Sequence, residues 1–197
     1  MNVVEDSIDE QDLIEKVLSG DTDAYAQIVR SHQAKVLGLC TSLLGDAHQG
    51  EDAAQEIFIK VYQALRSFQG NSKFSTWLYR ISANHCKDLL RKRSRQKTES
   101  LDALIEKSGD QVQNLWEPSF DPRNAADASH LLEKLLSILS ADERLILTLR
   151  EVQGLSYLEI AETLKCSLDA VKSRLRRARE TLEEKTPAYR QAGDTFR

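Results

Sequence analysis

The chain has 197 residues, 41% of them hydrophobic, with 27 lysines and arginines against 31 acids and a formal net charge of -4. That is the composition of an ordinary soluble protein with one medium core or two small ones. It excludes several classes: no run reaches the roughly 18 apolar residues of a membrane span, and the acidic start "MNVVEDSIDEQD" is not a signal peptide, so a cytoplasmic protein is expected. The three scattered cysteines, Cys40, Cys86 and Cys166, write neither a disulfide framework nor a paired-cysteine zinc motif, and no metal or cofactor is implied.

With only three prolines and eight glycines and apolar periods near 3.6, the fold class predicted is all-α. Leu13, Ile14, Val17 and Leu18 form one stripe; "SGDTDA" then supplies a stop at Gly20 and a cap at Asp21 or Thr22. A longer helix follows through Tyr25, Ile28, Val29, Val36, Leu37, Cys40 and Leu44, ending near Gly45. Cys40 in "VLGLCTSLL" reads as a small buried hydrophobe. The next helix has acids crowding its first turns, where they favour the dipole, and Ala54, Ile57, Phe58, Val61, Tyr62 and Leu65 as its core stripe. The loop "QGNS" ends it, and "FSTWLYRISANHCKDLLRKRSR" opens a fourth helix capped by Ser75 or Thr76. Four helices by residue 95 can close a small bundle.

From about Thr98 to Asp127 the pattern decays into a polar linker with Trp116 and Phe120 as isolated apolar beads. After it, a Leu, Ile and Val-rich stretch can fold as a second small helical domain. The tail "TPAYRQAGDTFR" reads as a frayed end.

The charge is segregated. "KDLLRKRSRQK" (87–97) holds six bases and one acid, and 172–179 holds five bases and no acid, so eleven of the 27 bases occupy nineteen positions. Two basic tiles on an acidic body suggest a polyanion touched twice, with the acidic remainder discouraging indiscriminate adhesion.

The second tile has a specific setting. Ser156 can cap a short helix "YLEIAETLK", a turn follows at "CSLD", and Ser167 or Asp169 can cap a helix that turns Val171, Leu175 and Ala178 inward. Ala161 permits a close crossing, while Ile160, Leu164, Leu168 and Val171 fill the angle. This is a helix-turn-helix plan, whose second helix enters the major groove. Lys172, Ser173, Arg174, Arg176 and Arg177 alternate around that helix, and arginine reads guanine through two parallel donors. Lys165 stands where the turn needs a permissive backbone.

The first tile follows a group of aromatics, Phe68, Phe74, Trp77 and Tyr79. Rings beside cations suit a single strand or an unpaired base, whereas the same spacing also suits a helix core, the reading preferred for Trp77.

Together, "EDAAQEIFIKVYQALRSFQGNSKFSTWLYRISANHCKDLLRKRSR" and "LSADERLILTLREVQGLSYLEIAETLKCSLDAVKSRLRRARE" resemble the extracytoplasmic-function sigma factors, small bacterial transcription-initiation subunits. The resemblance implies a four-helix sigma domain 2 at 1–97, a flexible linker at 98–126, a helix-turn-helix sigma domain 4 at 127–186 and a tail at 187–197. It implies that Asn84 lines a pocket for a flipped base of the -10 element, an amide being able both to donate to and accept from a base edge, with the loop of Phe68, Gln69, Gly70, Asn71, Ser72 and Lys73 closing over it and Lys87, Arg91 and Arg93 on the backbone. A hydrogen bond within the bundle is the alternative role for Asn84. Ser167, Lys172, Ser173, Arg174, Arg176 and Arg177 would face the -35 duplex.

The resemblance also implies that Asp52, Gln55 and Glu56 dock on the clamp coiled coil of the polymerase's largest subunit, that the flap is a further contact, and that an anti-sigma factor controls a stress, envelope or metal-response regulon. Trp116 and Phe120 would thread the polymerase or pack on that inhibitor. No catalysis is implied. The rival readings are a dimeric operator-binding activator, a metal-dependent nuclease or nucleotide enzyme built from Glu51, Asp52 and Glu56 with His48 or His85, and an inert scaffold; the first needs an α/β receiver that the helical first domain disfavours, the second a ligand spacing that is not found, and the third leaves the two basic tiles unexplained.

Overall fold

The structure is a computed structural model that describes residues 10–101, 136 and 138–185. The expected beads Trp116 and Phe120, most of the expected linker and the tail lie outside these residues.

Local chemistry fixes the first four helices. α1 (Glu10–Leu18) buries Leu13, Ile14 and Val17. Asp21 caps α2 (Thr22–Leu44), its carboxylate accepting from the N–H of Asp23 and Ala24 at 2.9 and 3.1 Å, so of the two predicted caps the carboxylate is used. α2 stops at Gly45, whose φ of 69° is the left-handed conformation that a side chain resists. Asp46 then caps α3 (Ala47–Ala64) by accepting from Gln49 N–H; the acid nearest that helix start is therefore the cap, and Glu51 and Asp52 stand beyond the first turn.

A 3-10 turn (Leu65–Ser67) and the loop 68–73 lead into α4 (Phe74–Leu101). α4 begins earlier than the predicted caps: Trp77 N–H already donates to Lys73 C=O, which places Ser75 and Thr76 inside the first turn. Its far end runs four residues beyond the expected domain boundary at 97.

The first lobe closes around Ile28, Val36, Leu39, Leu43, Ile57, Val61, Leu65 and Leu78, all essentially without exposure. Leu18, Leu37 and Tyr62, expected inside, are exposed, while His32, Leu39 and Leu43 are buried. The 23 residues of α2 touch α1, α3, α4 and the second lobe, so its buried face drifts around the axis and no single stripe describes it. Cys40 and Cys86 are wholly buried with their sulfurs 3.7 Å apart; the neighbouring thiol and burial push Cys40 up, which keeps it a neutral apolar filler.

α2 and α3 approach most closely at Gly50. A Cβ there would lie 2.4 Å from Thr41 Oγ1 and 3.0 Å from Thr41 Cα and N, and backbone cannot rotate away. Gly50→Ala is expected to destabilise the first lobe by about 1–3 kcal/mol through overpacking, read as a lowered denaturant midpoint at constant slope.

In the second lobe, Ser140 and Glu143 form a capping box that starts α5 (Ala141–Leu147). A π turn (Thr148–Val152) follows, and Arg150 donates to Leu155 C=O at 2.8 Å while stacking on Tyr157. Then come α6 (Tyr157–Leu164) and α7 (Leu168–Lys185). The lobe is held by Leu145, Ile146, Leu149, Ile160, Val171, Leu175 and Ala178.

The two lobes pack together. α4 meets α6, α2 meets α5, and the π turn touches α2. Arg144 donates to Leu43 C=O at 3.0 Å, and Gln153 accepts from Tyr79 O–H at 2.9 Å and donates to Lys35 C=O at 3.2 Å.

Candidate nucleic-acid interface

The helix-turn-helix is built as its residues dictate. Ser156 and Glu159 exchange backbone and side-chain hydrogen bonds at 3.2 and 2.8 Å, fixing the start of α6. Lys165 ends it in the left-handed conformation, φ 48°, the one non-glycine residue among those described to do so, which is the permissive backbone its position demanded. Ser167 Oγ then accepts from Ala170 N–H at 3.2 Å, so the hydroxyl caps α7 and Asp169 lies in its first turn.

With Val171, Leu175, Ala178 and Leu182 locked inward, Lys172, Ser173, Arg174, Arg176 and Arg177 all face outward. Arg176 pairs with Glu180 at 3.0 Å and Lys172 lies 3.7 Å from Asp169. Arg174 and Arg177 make no ion pair among the described residues and keep their donors available. Arg179, at the end of the tile, is committed to Glu151 at 2.7 Å.

Of the two readings open for the aromatics beside the first tile, the structure takes the core one, as expected for Trp77. Phe74, Trp77 and Tyr79 are buried, so these rings are core and not a stacking surface. Phe68 is half-buried against Phe74 and Trp77, ring centroids 5.6 and 5.3 Å away. Gln69, Gly70 and Asn71 are exposed and Ser72 half-buried, with Asn71 donating to Gln69 at 3.1 Å.

Asn84 is exposed on α4 and has no hydrogen bond to the bundle among the described residues. It stands ten residues into α4, about 15 Å along the axis from the helix start, and no described contact joins it to the loop 68–73. Arg93 is exposed, and Arg91 pairs with Asp88.

Two of the predicted cations are occupied across the lobes. Lys73 Nζ lies 2.7 Å from Glu159 Oε1, and Lys87 Nζ 2.7 Å from Asp142 Oδ1. Lys73, then the Ser156 backbone and hydroxyl, hold the Glu159 carboxyl down at about 2. A carboxyl depressed in the fold contributes stability above its unfolded pKa, and that contribution fades as pH falls from about 4.5 towards 2. Lys87 likewise holds Asp142 below its usual range.

Asp52, Gln55 and Glu56 are exposed on α3. Beside them the helix pair α2 and α3 encloses an apolar groove of about 580 Å³ lined by Val29, Ala34, Leu37, Ala54, Phe58 and Ile59, with Gln33, Glu51 and Gln55 at its edge. Sequence reading missed this groove; the available signal was Ile59, an apolar residue off the core stripe of α3.

Beneath Glu56 lies His85, buried on α4. Lys60 Nζ donates to its Nδ1, and its Nε2 lies 3.3 Å from Glu56 Oε2 without the alignment of a hydrogen bond. Burial, then the Lys60 charge, lowers the His85 pKa. A histidine depressed in this way stabilises the fold while neutral and costs stability as pH drops below its ordinary value near 6.5. His85→Gln is expected to flatten the fall in melting temperature between pH 7 and 5, measured by calorimetry across that range.

Two helical lobes, the second a helix-turn-helix whose second helix is cationic outside and apolar inside, define a DNA-binding transcription protein. The model of Sigma-70 region 2 matches residues 28–96, and that of Sigma-70 region 4 matches 129–182. The RNA polymerase sigma-H factor of Pseudomonas aeruginosa is 38% identical over 179 residues, 89% of this chain and 92% of that one. The ECF RNA polymerase sigma-E factor of Escherichia coli is 37% identical over 186 residues, 91% and 95%. Among solved structures, CnrH in complex with the cytosolic domain of CnrY shares the fold at a TM-score of 0.65 and 24% identity, covering 89% of this chain and 95% of that one. The sigma factor RpoE in complex with the anti-sigma factor NepR from Bartonella quintana gives 0.63 and 26%, covering 83% and 97%. The chain belongs to the extracytoplasmic-function sigma factors. It is an initiation factor and not an enzyme, and no helix among the described residues is long and apolar enough to cross a membrane.

Proposed function

We propose that this chain binds core RNA polymerase in the cytoplasm and directs it to a dedicated promoter set of a stress, envelope or metal-response regulon, under an anti-sigma factor. In this reading residues 1–97 hold the polymerase clamp through Asp52, Gln55 and Glu56 and handle the melted -10 element, 98–126 link the lobes, 127–186 read the -35 duplex, and 187–197 form a tail. The observation that carries it is the outer face of α7: four cations and Ser173 exposed on a helix whose register is pinned by Val171 and Leu175.

The apolar groove beside Asp52 and Gln55 suits a partner helix with an apolar stripe and basic flanks, the chemistry shared by a clamp helix and by an inhibitor that competes with it. Splayed bases and phosphates bound by the first lobe offset the cost of unstacking promoter DNA.

Purified chain mixed with core polymerase is expected to initiate specifically from a subset of a genomic promoter library; operator binding that needs no polymerase overturns the reading. Asn84→Ala is expected to weaken binding of melted promoter by about tenfold, one lost bidentate base contact, while leaving polymerase association unchanged. Equal discrimination at the flipped base by variant and parent would remove Asn84 from the pocket.

A further inference from the structure

Two of the three cysteines meet inside the first lobe. Cys40, towards the end of α2, and Cys86, on α4, are 46 positions apart in the chain, yet their sulfurs lie 3.7 Å from each other. Neither has any exposed surface, and Leu39, Leu43 and Ala83 are buried with them. Small apolar side chains would fill the same space, so packing alone does not call for sulfur on both helices; what sets cysteine apart is its reactivity.

The two thiols are not equivalent. The S–H of Cys40 beside the Cys86 sulfur lowers the Cys86 pKa, whereas the same contact, together with burial, raises that of Cys40. Cys86 is therefore the sulfur that ionises first, and Cys40 the one that waits as a thiol. The largest obstacle to ionising Cys40 is the Cys86 sulfur itself, and oxidation of Cys86 removes that obstacle.

We propose that Cys40 and Cys86 form a redox site for small hydroperoxides, which closes into a disulfide and staples α2 to α4 inside the first lobe. The Cys86 thiolate attacks a peroxide oxygen: an S–O bond forms, the O–O bond breaks, and the departing hydroxide takes up a proton to leave as water. The Cys40 sulfur then attacks the Cys86 sulfenic acid; the S–S bond forms, the S–O bond breaks, and the second hydroxide leaves as water with the Cys40 proton. Two thiols thus lose two electrons and two protons, and hydrogen peroxide gains them to become two waters. A dithiol reductant returns both by thiol–disulfide exchange.

The geometry suits this closure. Moving the sulfurs from 3.7 Å to a bond of about 2.05 Å is a shift that side chains on two contacting helices can share. Because the pair is wholly buried, entry requires brief local opening and favours a reagent near the size of water over a bulky one. The staple would tie the helix whose Leu37 walls the apolar groove to the helix that carries the first basic tile.

The test uses the full chain with Cys166→Ser, so that the half-buried third thiol cannot divert the reaction. Hydrogen peroxide, added to the reduced and folded protein, is expected to remove two hydrogens from its mass and to give one unreduced tryptic product joining the Cys40 and Cys86 peptides. Dithiothreitol should reverse both, and oxidised glutathione, a bulkier oxidant, should form the link more slowly. The linked chain is expected to melt at least about 5 °C higher, since a bond between residues 46 positions apart restricts the unfolded chain. In Cys40→Ala, with Cys40→Val as the better-filled alternative, the reaction should stop at the sulfenic acid, and dimedone should label Cys86. Absence of the linked peptide, a link that forms only in denaturant, equal rates with the two oxidants, or a melting temperature that stays level or falls overturns the staple. Failure of dimedone to label Cys86 in both Cys40 variants overturns the order of attack.

Discussion

Replacing Lys172, Arg174 and Arg177 together by alanine is expected to lower affinity for the -35 duplex by about three orders of magnitude near 0.15 M salt. On the proposed reading each would contribute a phosphate contact or a base-edge contact of about 1–3 kcal/mol, and about 1.4 kcal/mol is a tenfold change. Removal of three cations should also flatten the plot of log affinity against log salt by about three units, since each neutralised phosphate contributes about 0.9 to the slope. The substituted side chains are exposed and alanine is a strong helix former, so the melting curve should be unmoved. The measurement is fluorescence anisotropy of the polymerase-bound chain on promoter duplex over a salt series. A large affinity loss with an unchanged salt slope would place the duplex elsewhere. Arg176→Ala alone should matter less, because that guanidinium is shared with Glu180.

Leu175→Ala tests the same helix from the other side. Leu175 is 1% exposed and packs into the corner of the helix-turn-helix, and truncating a buried leucine costs about 2–5 kcal/mol through lost burial and the cavity left behind. That is a large fraction of the stability of a small lobe. The expected result is a drop in denaturant midpoint, with duplex binding lost at elevated temperature yet retaining the parent's salt slope when measured cold. Leu158→Ala is the contrast: the same residue type, 65% exposed on α6, should change stability by less than about 0.5 kcal/mol. Equal costs for the two would mean that α7 does not owe its register to the core.

The pair of experiments separates what α7 presents from what holds it. The cations act through charge and leave the fold alone, whereas Leu175 acts through the fold and leaves the charge alone. A variant at Gly50 would behave like Leu175 in the first lobe, for the opposite reason: space there is absent where a cavity would otherwise form.

Much was legible before any coordinates. The helices, a cap of α2 at Asp21 or Thr22, the cap at Ser156, the stop near Gly45 and the inward set Val171, Leu175 and Ala178 follow from periodicity and from interactions that reach no further than about four residues along the chain. The outward placement of the α7 cations follows too, since burying one face of a helix fixes the other. What the amino-acid order could not contain is which surfaces meet. Lys73 and Glu159 are 86 residues apart, the Cys40 and Cys86 sulfurs share a site that no spacing predicts, and Leu37 faces a groove because α3 leaves that side of α2 open. The aromatics of the first tile make the same point. Their spacing fits a stacking platform as well as a core, the core being the expectation only for Trp77, and it is the packing of α4 against α2, α3 and the second lobe that buries Phe74, Trp77 and Tyr79. Periodicity and capping are local and so are written in sequence, while contacts between elements depend on how faces are matched in three dimensions, which is settled by the fold as a whole.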